Sequence, residues 1–322
     1  MAKASHFVNN PVILITGGTG FAGSHLVELL KEKKEHNIHV TSHSGRDQFV
    51  STLIDEQNIH KVDLTDKKET EDLIKAIQPD QIYHLASISS VGDSFENAQS
   101  VLNNNINLQL NLLNAVKDFA PQARVLAITS ADQYEMSTKP LSEDSPIAPI
   151  NPYGVSKATQ DMLAGIYANL KLDIIRARPF NHIGERQQSN FAVPAFASQI
   201  AKVEKNKQSS LQVGNLNAIR DFTDVKDMVR AYLLLMQKGE SGQVYNIGSG
   251  HGLKVSDILE NLVRLAKVKV TVKLDPARMR PADNPFIVAD NTKIAALGWS
   301  PKIPIDKTLE RTLNYFRNSI GN

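Results

Sequence analysis

Tyr153 and Lys157 stand four residues apart in NPYGVSKATQDML, so on a helix both side chains leave the same face. A phenol ordinarily titrates near 10, and proton transfer close to neutrality asks for a shift of about 3 pH units, roughly 4 kcal/mol. An ammonium about 4 Å away supplies roughly that much at an effective dielectric near 20. Asn151 is a natural N-cap and Pro152 suits the first helical position, which sets the pair in the opening turns of a helix. More candidates lie in AITSADQYEMSTKP, where an apolar run turns polar and places Ser130, Asp132 and Tyr134 at alternate positions. A hydroxyl and a carboxylate there suit steadying a carbonyl oxygen and moving its proton. A surface corner beyond a strand is the plain alternative.

A phosphate cradle precedes these residues. VILITGGTGFAGSHLVELL is strand, glycine turn and helix in immediate succession, with Gly17, Gly20 and Gly23 spaced G-x-x-G-x-x-G and Gly18, Gly20 and Gly23 spaced G-x-G-x-x-G. Glycines there permit the tight turn and let backbone N–H groups approach a diphosphate at the helix N-terminus. After the second strand, where an acid would hold both ribose hydroxyls of NAD, the chain reads VTSHSGRDQ. Thr41, Ser42 and His43 carry no carboxylate and Arg46 follows. That leans towards NADP, whose 2′-phosphate attracts a cation. NAD stays open, because Arg46 also reads as a solvated loop residue. Asp63, in KVDLTD, comes too late for the ribose position and is either an adenine contact or a strand-end cap.

These groups need a scaffold. Val- and Ile-rich runs recur between helical patterns at Val12 to Thr16, Ile38 to Ser42, Gln81 to Ala86, Arg124 to Thr129 and Leu172 to Arg178. Such alternation predicts an α/β fold, a doubly wound parallel sheet covered on both faces. After Arg178, prolines punctuate shorter elements, and VSDILENLVRLA predicts an amphipathic helix beginning after a Ser/Asp start signal. A smaller second lobe is expected there, with GQVYNIGSG (Gly242 to Gly250) returning to the sheet.

The totals exclude several function classes. Of 322 residues, 41% are hydrophobic and 22% charged, with a net charge of +2, which offers no basic field for nucleic acid. The absence of cysteine rules out disulfides, thiol nucleophiles and iron–sulfur clusters, and suits a reducing cytoplasm. The stretch MAKASHFVNN lacks the apolar core of a signal peptide, and no run approaches the roughly 18 apolar residues of a membrane span. A cytoplasmic protein is expected. The nine histidines show no helical H-x-x-x-H pair, and no metal is assigned.

Taken in order, TGGTGFAG, VDLTD, YHLAS, LNNNINLQLNLLNA, ITSADQY, NPYGVSK, RPFNHIG, RDFTDVKDMVRAYL, VYNIGSG and RPAD resemble the extended short-chain dehydrogenase/reductase superfamily over nearly the whole chain. The resemblance implies a Rossmann dinucleotide-binding domain of residues 10–178 plus about 221–250. A smaller nucleotide-sugar lobe of about 179–220 plus 251–322 would complete it. It implies a triad of Ser130, Tyr153 and Lys157, with Asn105 supporting the catalytic water or backbone. By the same likeness the dinucleotide would run along Gly17, Gly20, Phe21, Ala22 and Gly23, past Arg46, Asp63 and Leu64. It would continue by Leu85 and Ala86 to Asn105, Tyr153, Lys157 and Pro179. Related enzymes pair through two long helices, so a homodimer is implied, built on the helix from Glu96 to Ala120 and the Tyr153 helix.

The C-terminal half is most similar to the GDP-4-keto-6-deoxy-mannose reductases, with the GDP-mannose 4,6-dehydratases as near relatives. That likeness implies a GDP-linked sugar, with Asn181 and Arg220 near its diphosphate, Arg280 binding it, Asp283 at the ribose and Lys202 towards the guanine. Arg suits phosphate because its planar fork grips two oxygens. Arg220 reads equally as the partner of Asp221 or Asp224, and Arg280 as a surface turn. Ser87, Ser89 and Ser90 are sugar contacts or ordinary loop serines. A 4,6-dehydratase carries a Glu two residues after the triad Ser/Thr, to take a proton from C5. Here Asp132 is one methylene shorter, and a misplacement on the order of 1 Å can cost about a hundredfold. The expectation is therefore an NADPH-dependent C4 ketone reductase, with the dehydratase as the alternative and a 4-epimerase or non-catalytic sensor behind it. Two departures stand out: Glu135 follows Tyr134 where Gly is usual, and GERQ replaces a common Gly-Pro.

Overall fold

The computed structural model describes residues 10–35, 37–43, 48–279 and 283–320; Arg46 and Arg280 lie outside the described residues. The Val/Ile runs form a parallel sheet of seven strands: β1 (Ile13–Thr16), β2 (Ile38–Ser42), β3 (Ile59–Lys61), β4 (Gln81–His84), β5 (Arg124–Ile128), β6 (Asp173–Pro179) and the strand Val244–Ile247. Their spatial order is Val244–Ile247, β6, β5, β4, β1, β2, β3. Thr16 lies opposite His84, His84 opposite Ala127, and Ile128 opposite Ala177, so the carboxyl ends share one edge. The order reverses between β1 and β4, where a doubly wound sheet opens a ligand crevice.

Helices α1 (Phe21–Glu32), α2 (Lys67–Ile77), α3 (Val91–Glu96), α4 (Ala98–Phe119), α5 (Pro152–Asn169), α6 (Ala192–Glu204), α7 (Val225–Lys238), α8 (Val255–Arg264), α9 (Thr292–Ala296) and α10 (Ile305–Ser319) complete the fold. Successive strand residues point to opposite faces, which is why both faces need cover. Ile13, Ile15, Tyr83 and Leu126 pack with Leu26 and Val27 of α1 and Met228 and Val229 of α7. Leu14, Ile82 and Val125 pack on the other side with Ile74 of α2, Leu112 of α4 and Ala164 of α5. β3 was not expected as a strand, because three residues, one apolar and half-buried, carry no alternation.

A third cluster joins Phe196 and Ile200 of α6, Ile258 and Leu262 of α8, and Leu309 and Leu313 of α10. The expected Ser/Asp start signal falls inside α8: the helix opens at Val255, and Asp257 sits in its first turn, where a negative charge meets the positive end of the helix. Beside this cluster Ile219–Asp221 pairs with Gly252–Lys254 and Phe286–Ile287, which carries Arg220 to the crevice. Ile294 and Trp299 pack back into the first cluster, and the Trp299 indole donates to the Asp227 carbonyl of α7. No helix among the described residues is long and apolar enough to cross a membrane.

Candidate active site

A cleft of about 840 Å³ opens along the carboxyl edge of the sheet. That is towards the upper end of the roughly 300–1,000 Å³ usual for ligand sites. Its near wall is the glycine turn. Gly17 has φ +67, and a Cβ there would lie 3.0 Å from the Ala86 backbone. The Thr41 hydroxyl accepts from the Gly17 N–H at 3.0 Å and so ties the turn to β2. Helix α1 then starts at Gly20 with no side-chain cap, whereas α2 and α5 are capped by Asp66 and Asn151. Uncapped N–H groups at a helix start, bare of side chains and facing a cleft, fit a diphosphate. Gly17, Gly20, Phe21, Ala22, Gly23, Asp63, Leu64, Leu85, Ala86 and Pro179 all line this cleft. Beyond β2 it is lined by Thr41, Ser42 and His43, and Asp63 spends one carboxylate oxygen on the N–H and hydroxyl of Thr65.

The far wall carries the residues expected to act as acid and base. Pro152 opens α5 and the Asn151 side chain accepts from the Gly154 N–H at 2.7 Å, as the sequence predicts. A Cβ on Gly154 would come within 2.4 Å of the Asp132 carbonyl, so a glycine lets α5 press against the turn after β5. That contact unites Tyr153 and Lys157 with Ser130 and Asp132, and all four line the cleft. The Ser130 hydroxyl meets the Asp132 carboxylate at 3.2 Å and accepts from the Asp132 N–H at 3.1 Å. It is also hydrogen-bonded to the Tyr153 hydroxyl. Lys157 donates to the Ile128 carbonyl at 3.2 Å, with its Nζ 5.8 Å from the Tyr153 ring centre.

Burial governs the charges. It pushes the Tyr153 phenol above its ordinary value, the nearby Asp132 carboxylate pushes it further, and only the Ser130 bond acts the other way. It lowers the Lys157 ammonium to about 7. The expectation that Lys157 draws the phenol towards neutrality is therefore corrected: desolvation costs both groups their charge. That direction keeps the Tyr153 phenol protonated at neutral pH. Asn105 supports backbone, as one of its expected roles has it, but its expected place on the dinucleotide path is corrected, because it does not line the cleft. It is wholly buried; its side chain accepts from the Ile88 N–H at 2.8 Å and donates to the Ile88 carbonyl and the Ser156 hydroxyl, each at 3.0 Å. It clamps the loop that follows β4 onto α5.

Residues 14–312 match the family described as GDP-mannose 4,6 dehydratase. The chain belongs to that family. It is 34% identical over 269 residues to the GDP-6-deoxy-D-mannose reductase of Pseudomonas aeruginosa, covering 81% of this chain and 88% of that protein. Its fold is similar to that of RMD from Pseudomonas aeruginosa complexed with NADPH (TM-score 0.83, 30% identity, 96% of this chain and 99% of that one). It is also similar to the UDP-glucose 4-epimerase of Thermus thermophilus in complex with NAD (TM-score 0.86, 25% identity, 96% and 99%).

Of the residues expected to meet the sugar nucleotide, Ser87, Ser89, Ser90, Asn181, Arg220 and Asp283 line the cleft. Ser90 also caps α3, accepting from Asp93, and Ser87 donates to the Ile88 carbonyl. Arg220 pairs with neither Asp221 nor Asp224: its guanidinium meets Asp283 at 2.6 Å, and Asn215 donates to the same carboxylate at 2.9 Å. Asp221 instead binds the backbone of Ser249, Gly250 and Ala289. Lys202 is exposed in the last turn of α6 and is not part of the cleft wall. Tyr134 is buried, its hydroxyl held between Asn246 at 2.7 Å and Arg178 at 2.8 Å. Arg186, noticed in the sequence only as part of the unusual GERQ, lines the cleft. It binds Ser24 and Glu28 of α1 and lies 3.8 Å from the Phe49 ring centre. Tyr232 also lines the cleft; in the run MVRAYLLLM it reads as an ordinary core residue.

Proposed function

We propose that this chain uses NADPH to reduce the C4 ketone of a GDP-4-keto-6-deoxy-hexose, giving a GDP-6-deoxy-hexose such as GDP-rhamnose. The observation that carries this reading is the Tyr153 hydroxyl hydrogen-bonded to Ser130 on one wall of a cleft that also holds the glycine cradle, with burial raising the phenol above its ordinary value. Ketone reduction starts with an acid in place; dehydration and epimerisation start by taking a proton from the C4 hydroxyl and need a base there. The reductase name of the Pseudomonas aeruginosa relative and the NADPH in the RMD structure support the same reading. β2 itself ends in the hydroxyls of Thr41 and Ser42 and carries no acid for the ribose, which suits a 2′-phosphate.

NADPH, when bound, supplies the hydride. The uncapped start of α1 at Gly20, with Gly17, Phe21, Ala22 and Gly23, binds the dinucleotide diphosphate, and Asp63 and Leu64 bound the adenosine end. Ser130 donates a hydrogen bond to the C4 oxygen and Tyr153 gives that oxygen its proton. Lys157 steadies the phenolate that remains. Asn105 holds the Ser87–Ser90 loop over the sugar. Asn181 and Arg220 face the sugar diphosphate, with Asp283 aligning Arg220. The dinucleotide lobe comprises residues 10–178 and about 221–250, and the sugar lobe about 179–220 and 251–322, with Ile294 and Trp299 folded back onto the first.

Asp132 favours one alternative, the GDP-mannose 4,6-dehydratase, because a carboxylate at that place can take the C5 proton. Purified protein should oxidise NADPH when given GDP-4-keto-6-deoxy-mannose. Conversion of GDP-mannose to the keto sugar with no net cofactor use would instead establish the dehydratase. The chain is also proposed to act as a homodimer through α4 and α5. Val155, Met162 and Ile166 of α5, with Leu170 at its C-cap, form one row and are 41%, 58%, 55% and 60% exposed. Light scattering on Ile166→Glu should report a monomer where the wild type is a dimer.

A further inference from the structure

Tyr232 stands two turns into α7, on the side that packs with Ile15, Ile128 and Ile247 under the sheet. Its side chain is 0% exposed to solvent, yet it contributes to the cleft wall together with Ile128 and Pro179. Its hydroxyl has no hydrogen-bond partner among the described residues. Buried hydroxyls left unpaired are rare and costly. Tyr83 has the same orphaned hydroxyl but lies away from the cleft. Burial keeps the Tyr232 phenol protonated, and Tyr153 is near enough to act on it electrostatically. Tyr232 thus stands at the cleft wall, near Tyr153, with a buried donor that no described residue uses.

The proposed reaction leaves the nicotinamide end of the dinucleotide, its ribose hydroxyls and its carboxamide, without an assigned partner. The glycine turn takes the diphosphate and the end of β2 the adenosine, while Ser130 and Tyr153 take the sugar oxygen. Hydride transfer requires the nicotinamide ring to lie beside the carbon whose oxygen Tyr153 protonates. Of these groups the carboxamide, with an acceptor oxygen and two N–H donors, is the one that belongs to the ring itself. We propose that Tyr232 binds the nicotinamide carboxamide through its buried hydroxyl and fixes the facing of the ring. This rests on the dinucleotide reading above.

The test is cofactor binding without any sugar, measured by calorimetry on wild type and Tyr232→Phe. The variant should bind NADPH about 5–10-fold more weakly, as loss of one hydrogen bond predicts. It should bind 2′-phospho-ADP-ribose, which lacks the nicotinamide, as the wild type does. The ligand-free variant should unfold at the same temperature or higher, because it no longer buries an unpaired hydroxyl. Equal weakening for both ligands, or unchanged NADPH affinity, overturns the proposal. A measurement on the wild type alone reaches the same point: thionicotinamide-NADPH, whose sulfur is the poorer acceptor, should bind several-fold more weakly than NADPH, and equal binding overturns the carboxamide contact. A wild type that binds neither NADPH nor 2′-phospho-ADP-ribose overturns the dinucleotide reading itself.

Discussion

Replacing Lys157 with Met should stabilise the ligand-free protein below neutrality while removing its activity. Lys157 is 3% exposed, and burial lowers its pKa from 10.5 to about 7. Three and a half pH units at about 1.4 kcal/mol each make a folding penalty of about 5 kcal/mol where both states carry the charge. The unfolded chain keeps the lysine proton up to about pH 10.4, whereas the folded chain gives it up near 7. Between those values the unfolded state holds one more proton, so this group makes stability rise by about 1.4 kcal/mol per pH unit. Its penalty is full below pH 7 and gone above about 10.5. Met keeps most of the apolar stem and loses the bond to the Ile128 carbonyl, a loss of about 1–2 kcal/mol. The variant should therefore be more stable by about 3 kcal/mol at pH 6 and no more stable than wild type at pH 10. Urea unfolding of both proteins at pH 6, 8 and 10 measures this difference. A variant less stable at pH 6, or a difference that does not change with pH, would refute burial as the force that sets the charge of Lys157.

Tyr153→Phe should lower the rate of ketone reduction by about 10²–10⁴-fold and leave the affinity for NADPH unchanged; a retained rate would remove Tyr153 as the acid. Asp132→Asn should keep ketone reduction within about tenfold, equivalent to about 1.4 kcal/mol. A loss of about 10²–10⁴-fold would instead mark Asp132 as an acid/base, as in a dehydratase. Asn105→Ala deletes the bonds to both Ile88 backbone groups and to Ser156 and should destabilise the protein by about 2–4 kcal/mol in urea unfolding. It should also raise the KM for the sugar, because the Ser87–Ser90 loop loses its clamp.

Local chemistry was the legible part of this chain. The glycine spacing, the Asn151 cap with Pro152 and the Tyr153–Lys157 interval each act within a few residues, and each forms as its sequence requires. Partners distant along the chain were not legible. Arg220 finds Asp283, 63 residues away, in preference to the acids next to it, because pairing Ile219–Asp221 with Phe286–Ile287 carries that acid alongside. Asn105 looks like a polar position on an amphipathic helix, and only the loop folded against it reveals Ile88 as its partner. Lys202 is an exposed position on α6, a helix whose residues from Phe196 to Ala201 are all buried, and which position is left to solvent depends on how α8 and α10 pack on it. A charge estimate made from spacing alone also erred at Tyr153, because it counted the attraction of Lys157 and omitted the desolvation of both groups.

That desolvation bears on which reaction the site is built to begin. With Tyr153 held up and Lys157 held down, the resting pair prefers phenol over phenolate. A reaction that begins by removing the sugar's C4 proton must first create a phenolate, against burial and against the Asp132 carboxylate beside it. One that begins with hydride arriving at a ketone uses the phenol as it stands, and the alkoxide formed at C4 supplies the driving force for proton transfer. Only then does a phenolate appear, and its negative charge favours the protonated form of Lys157 in turn, so the two groups titrate as a pair. Because Lys157 titrates near neutrality, it can regain a proton from water and help return Tyr153 to its starting state at that pH. Asp132, which as a base would favour dehydration, acts through its charge to keep Tyr153 an acid, and that effect points towards reduction.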